Sequence, residues 1–236
     1  MSDAPRTLRL VTWNIHGGIG TDGRFDLKRI GGIIRALAPE IAAFQEVDMR
    51  TKRDAQTDIY AYLRSQVGDH GHQAWALSGA DGQYGQMLAS RFPLEDRHIH
   101  DISLPGREPR KVMEARARSP FGPLRVISTH LGWRTAERMR QVKWLREIIM
   151  EDHTAPLLLF GDLNEWHERR LRRLLSDLFE IRRGNKSFPS RLPLFALDRI
   201  ICRAGPMVLE SRAVKEAEKA SDHLPVFARI ALPSIG

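Results

Sequence analysis

The chain has 236 residues, 42% of them hydrophobic, which excludes a disordered chain and suits one large α/β domain or two small ones. The 37 Lys and Arg against 29 Asp and Glu give a formal charge of +8, a surplus that suits nucleic acid, an anionic membrane surface or a phosphorylated small molecule. The single cysteine, Cys202, excludes an intramolecular disulfide, and no apolar run reaches the ~20 residues that cross a bilayer. Residues 1–9 carry no apolar segment of the secretory kind. The expectation is a cytoplasmic protein, with a peripheral contact at the inner membrane compatible with its charge.

Short apolar strands alternate with amphipathic helices. Residues 8–13 form the first strand, which runs into Asn14-Ile15-His16-Gly17-Gly18. Residues 26–37 place Leu27, Ile30, Ile33, Ile34 and Leu37 at helical spacing behind an Asp26 cap, and Pro39 ends that helix. A strand at 41–44 exits into Gln45-Glu46, and 58–67 reads as helix. Strands follow at 86–89, 112–117 and 124–129. The loop 99–110, with two prolines and a glycine, has the composition of a mobile flap. A helix at 137–150 precedes the apolar strand 157–160, which is followed at once by Gly161-Asp162-Leu163-Asn164. A basic helix at 171–178 and strands at 197–201 and 225–230 complete the chain. No low-complexity linker divides it, so a single domain over 1–236, with its core at about 7–232, is the simplest organisation.

The informative pattern is the polar residues at strand exits. Asn14, Glu46, His130, Asp162 with Asn164, and Ser221-Asp222-His223 all lie where an apolar strand ends or begins. Such ends are where α/β folds place ligands. One such residue alone is explained by capping or turn formation. The whole set has the chemistry of phosphate-ester hydrolysis. Glu46 and Asp222 offer carboxylates to a hard cation, and Asn14 offers an amide oxygen. His223 can take a proton from water while Asp198 orients its other nitrogen. Asp162 and Asn164 can position the nucleophile and the phosphoryl oxygens, and His130 can donate to the phosphate.

These segments closely resemble the endonuclease/exonuclease/phosphatase superfamily, which includes deoxyribonuclease I, apurinic endonucleases, neutral sphingomyelinases and inositol-polyphosphate phosphatases. The matching pieces are Trp13-Asn14-Ile15-His16-Gly17, Gln45-Glu46-Val47, Ser128-Thr129-His130-Leu131, Gly161-Asp162-Leu163-Asn164, Leu197-Asp198-Arg199-Ile200 and Ser221-Asp222-His223-Leu224-Pro225. They occur in family order, and the compact bacterial branch fits best. The resemblance implies a four-layer α/β sandwich of two mostly antiparallel sheets flanked by helices. It implies Glu46, Asn14 and Asp222 as metal residues, and His223, Asp198, His130, Asp162 and Asn164 as catalytic ones. It also implies Mg²⁺, with Mn²⁺ able to substitute.

The expectation is a phosphodiesterase acting on phospholipid or nucleic acid, with no obligate protein partner. The alternatives are a monoesterase on a small phosphorylated molecule and a non-catalytic module that binds a polyanion or a membrane. Arg107, Arg110 and His16 are candidate substrate contacts, although charged loops are often merely solvated and His16 serves equally as a turn residue. Lys111 shares the flap. Arg169, Arg170, Arg172 and Arg173, with Arg182 and Arg183 beyond, form either a solvated face or a polyanion contact. Trp144 and Cys202 read as core. Trp133 and Trp166 read equally as core and as a wall for a lipid tail or a base. Asp48 and Asp54 read as loop charges, and Ser221 as a local hydrogen-bonding residue.

Overall fold

The computed structural model describes residues 6–50, 58–152, 156–203 and 205–232; Asp54 lies outside them. In chain order the elements are β1 (Thr7–Asn14), α1 (Leu27–Leu37), β2 (Ile41–Asp48), α2 (Ile59–Ser65), β3 (His70–Gly79), β4 (Gly82–Ser90), β5 (Leu94–Asp101), β6 (Lys111–Ser119), β7 (Gly122–His130), α3 (Thr135–Met150), β8 (Leu157–Asp162), α4 (Glu168–Leu175), β9 (Asp198–Arg203), β10 (Met207–Ala213) and β11 (Val226–Ala231). One sheet has the order β10-β11-β1-β2-β4-β3 and the other β5-β6-β7-β8-β9. The β1–β2 and β7–β8 pairs are parallel and the other pairs antiparallel.

Three apolar clusters separate four layers. Strand alternation puts Leu8 and Leu10 of β1, with Leu158 and Phe160 of β8, into the core between the sheets. The intervening residues face outward. Val11 and Trp13 pack under Ile30 and Ile34 of α1 and Tyr60 of α2. Leu157 and Leu159 pack under Leu145 of α3 and Leu171 of α4. Helix α1 starts where expected: Asp26 accepts from the Arg29 amide at 2.9 Å, and Ala38 ends the helix in the left-handed region just before Pro39. The expected four-layer sandwich is the observed one. No helix among the described residues is long and apolar enough to cross a membrane.

Three strands go unseen in the sequence: β3, β5 and β10. Each lies at a sheet edge. Edge strands face solvent over much of their surface, so their alternation is weak and charges are tolerated, as in Leu94-Glu95-Asp96-Arg97-His98. The expected flap at 99–110 is also corrected. Its first three residues belong to β5, and the remainder is pinned at both ends. Ile102 is buried and its amide donates to Arg110 O at 3.0 Å, while Ser103 exchanges hydrogen bonds with the Arg110 backbone.

Candidate active site

The parallel pairs bring the C-terminal ends of β1 and β2, and of β7 and β8, to one edge of the sandwich. Antiparallel pairing brings the starts of β9 and β11 to the same edge. Asn14, Glu46, His130, Asp162, Asp198 and His223 therefore converge across both sheets.

Local backbone features aim these side chains. Between Phe44 and Val47, β2 carries one more residue than β4 opposite, and within that bulge Glu46 takes φ 54°. A non-glycine residue held there is strained, which is characteristic of functional positions. His16 (φ 47°) and Asn164 (φ 49°) share the left-handed conformation. Gly161 has φ 143°, and an added Cβ would overlap the carbonyl oxygen of Thr129 on β7. Only glycine lets β8 approach β7 this closely beside Asp162.

His223 and Asp198 form a buried pair. His223 Nδ1 lies 2.9 Å from Asp198 Oδ2, which also accepts from Ser187 Oγ at 2.6 Å. On its far side, His223 Nε2 faces Asp162 Oδ2 at 3.9 Å. The backbone around His223 is fixed: Trp13 Nε1 donates to its carbonyl at 2.9 Å, and Ser221 Oγ donates to Asn14 O and accepts from the His223 amide. Ser221 is thus a structural hydrogen-bonding residue. Burial alone would lower the His223 pKa, but the charges of Asp198 and Asp162 and the Asp198 hydrogen bond outweigh it and raise it to about 10. Asp162 is raised to about 7 by burial and by the Asp198 charge.

Asp162 is also held by amides. Asn164 N donates to its Oδ1 at 2.9 Å, and Asn14 Nδ2 to its Oδ2 at 3.2 Å. The Asn164 side-chain amide donates to Leu131 O at 2.8 Å, so it braces the β7 and β8 exits against each other. Asn14 Nδ2 also donates to Glu46 Oε1 at 2.8 Å, and Asn14 Oδ1 accepts from the His16 amide.

His130 Nε2 lies 3.5 Å from Asp162 Oδ2, and Arg110 Nη1 lies 3.1 Å from His130 Nδ1. Burial and the Arg110 charge hold the His130 pKa well below its ordinary value, so the ring is neutral. A guanidinium can only donate, so Nδ1 is the acceptor and Nε2 carries the hydrogen. Arg110 is buried behind His130 and pairs with Glu108 at 2.9 Å. Arg107 stands apart on an exposed turn, with no described contact to the site.

Glu46 and Asp222 flank His16, whose Nδ1 lies 3.5 Å from one carboxylate and 3.7 Å from the other. Burial tends to raise Glu46, but hydrogen bonding from His16 and the Asn14 amide hold it down to about 2. Among the described residues, no Lys or Arg comes within ion-pair distance of Glu46, Asp162 or Asp222. Three converging carboxylates without a permanent cation, together with an amide oxygen, are a hard-oxygen donor set that fits a divalent ion. Asp162, Asp198 and His223 also present ligand atoms within 4.8 Å of one another. Asp198 Oδ2 is already committed to His223 and Ser187, so that group suits proton handling.

Sequence reasoning missed Ser187 and the role of Trp13. Ser187 is one small polar residue in a loop, with no motif around it. Its function follows only because Ser187 and Phe188 bond back to Phe195 across the loop before Asp198. Trp166 is half-exposed and packs edge-on against Phe195 at 4.6 Å and Phe188 at 5.9 Å; Phe188 in turn lies 4.7 Å from the His223 ring.

A two-sheet sandwich with His–Asp, Asp–Asn and Glu centres at one edge defines a class of phosphate-ester hydrolases that generally use divalent metals. The chain belongs to the endonuclease/exonuclease/phosphatase family, whose profile matches residues 11–223. It is 28% identical to YbhP of Escherichia coli (strain K12) over 96% of this chain and 97% of that one. It shares its fold with an endonuclease/exonuclease/phosphatase from Beutenbergia cavernae, with a TM-score of 0.78 and 21% identity over 96% of this chain and 72% of the other. It shares it also with a mannosyl-6-phosphatase from Bacteroides thetaiotaomicron, with a TM-score of 0.76 and 15% identity over 95% and 100%.

Proposed function

We propose that the protein is a Mg²⁺-dependent phosphodiesterase, with Mn²⁺ able to substitute, acting on phospholipid or nucleic-acid phosphodiesters. The observation that carries the reading is His223 set between Asp198 at Nδ1 and Asp162 at Nε2. The 3.9 Å between Nε2 and Asp162 Oδ2 leaves room for one water to touch both. In-line attack by that water forms the new P–O bond as its proton passes to His223, the ester P–O bond on the opposite side breaks, the departing alkoxide takes a proton from solvent, and Asp198 stabilises the imidazolium until it returns its proton to solvent. His130 donates from Nε2 to a phosphoryl oxygen and, being neutral and pinned by Arg110, does not compete for the proton. Glu46, Asp222 and Asn14 would hold the cation. When bound, it supplies polarisation of the phosphoryl oxygen and offsets the negative field that keeps His223 protonated.

A diester is favoured over a monoester by charge. A monoester brings close to two negative charges, a diester one, and three carboxylates with no lysine or arginine within ion-pair distance among the described residues leave less positive charge for the former once one divalent cation is bound. The similarity to a protein named as a mannosyl-6-phosphatase favours the monoester reading. Turnover of bis-(p-nitrophenyl) phosphate against p-nitrophenyl phosphate, with Mg²⁺, Mn²⁺ or EDTA, tests both. The expected result is metal-dependent cleavage of the diester, lost in Glu46→Gln and His223→Ala variants that remain folded. Turnover in EDTA, or near-native turnover in either variant, would overturn the assignment; preference for the monoester would replace it.

A further inference from the structure

Four large apolar side chains at the catalytic edge stand in solvent: Trp133 is 62% exposed, Trp166 36%, Leu192 67% and Leu194 52%. They lie on the loops that leave β7, leave β8 and precede β9, which are the loops that carry the site. The fold links the loops of Trp133, Trp166 and Leu194, and Leu192 lies on the same loop as Leu194. Arg138, fully buried, donates to Trp133 O at 2.8 Å and to Glu165 Oε2 at 3.1 Å, tying the Trp133 loop to the residue before Trp166. Trp166 packs on Phe195, and Leu194 N donates to Phe188 O at 2.9 Å. The apolar surface therefore continues inward to Phe188 and the His223 ring.

We propose that this rim is a docking surface for an anionic phospholipid bilayer, with Trp133, Leu192 and Leu194 entering the headgroup–acyl boundary. Exposing such side chains to water is unfavourable, and a cluster of them beside a site marks a partner. Tryptophan is the side chain favoured at membrane interfaces, and leucines gain from hydrocarbon. Leucine offers no face for base stacking, so the aliphatic members argue against nucleic acid. Cations frame the rim. The Arg134 guanidinium lies 5.2 Å over the Trp133 ring, and Arg183 and Lys186 line a hollow of about 170 Å³ with Trp166 and Leu194, in which Glu165 and Glu168 are neutralised by Arg138 and Arg199. Among the described residues these three cations have no acidic partner, which leaves them available to lipid phosphates. This deepens the phosphodiesterase reading by placing the scissile phosphate at a lipid surface, and it rests on that reading for its consequence in turnover.

The test is co-sedimentation of the metal-free protein with phosphatidylglycerol/phosphatidylcholine vesicles, and with phosphatidylcholine vesicles alone. Binding to the anionic vesicles is expected. The double variant Leu192→Glu, Leu194→Glu, and separately Trp133→Ala, should weaken it by about tenfold or more, with unchanged circular dichroism. Met207→Glu with Leu209→Glu, exposed apolar residues of β10 at the far end of the sandwich, should leave binding unchanged. Absence of vesicle binding, equal loss in the β10 control, or binding to double-stranded DNA that falls in parallel in the rim variants would overturn the proposal. Vesicle binding by a protein that cleaves no phosphodiester would spare the docking surface and remove the phosphodiesterase reading. Cleavage of soluble diesters without vesicle binding would do the reverse.

Discussion

Asp198 Oδ2 and His223 Nδ1, 2.9 Å apart and both buried, are tied by a hydrogen bond that joins the start of β9 to the loop before β11. The carboxylate fixes the ring so that Nε2 faces Asp162, and it stabilises the protonated imidazole. Asp198→Asn is expected to lower phosphodiester turnover by about a hundredfold or more with the fold intact. In the metal-free wild type, the His223 ring should stay protonated to about pH 10, and in Asp198→Asn its pKa should fall, as read by NMR titration. A folded pKa above the unfolded value of about 6.5 contributes stability that is present in full below that pH and is lost as pH rises through about 10. An unchanged His223 titration in the variant would break the assignment.

Arg110 and His130 carry a second prediction. Arg110→Met removes the donor that fixes the His130 hydrogen on Nε2. Turnover is expected to fall about tenfold, and nitrogen NMR should show a mixture of ring tautomers where the wild type shows one. Arg110→Lys restores the charge without the planar fork and should recover activity only in part. Wild-type tautomer in Arg110→Met would show that other contacts orient the ring.

Gly161→Ala tests the close approach of β8 to β7. The new methyl meets the Thr129 carbonyl, so the strands must part beside His130 and Asp162. The expected cost is about 2 kcal/mol or more in urea unfolding, with loss of turnover. A stability equal to wild type would mean that the strands separate freely there.

Cys202, on β9, is a chemical reporter of global unfolding. The residue is half-buried rather than fully buried, and desolvation lifts its thiol to about 12, so the reactive thiolate is scarce at neutral pH. The native protein should resist a thiol reagent such as DTNB and release one equivalent on denaturation. Rapid labelling of the native state would contradict the raised thiol.

The convergence of Asn14, Glu46, His130, Asp162 and His223 on one edge is legible in the sequence, because each is a polar residue abutting an apolar strand. The edge strands β3, β5 and β10 are not, because a strand facing solvent needs neither alternation nor apolar content. The supporting contacts were less visible still. The Ser187–Asp198 bond and the Arg110–His130 pair depend on loop paths, which no local spacing encodes. In the sequence Arg110 is a charge in a loop, and its place behind an imidazole follows only from the pinning of residues 102–110.

Asn14 and Glu46 lie on strands of one sheet, while His130, Asp162 and Asp198 sit on the other, so the candidate site straddles the seam between two separately hydrogen-bonded sheets. The interleaved Leu10, Phe160 and Leu158 between them act as the spacer that sets the gap. Hollowing that spacer, for instance by Phe160→Ala, lets one wall slide on the other. Turnover is then expected to fall through misalignment of the two walls, alongside the loss of about 3–5 kcal/mol of stability that a buried Phe→Ala cavity costs.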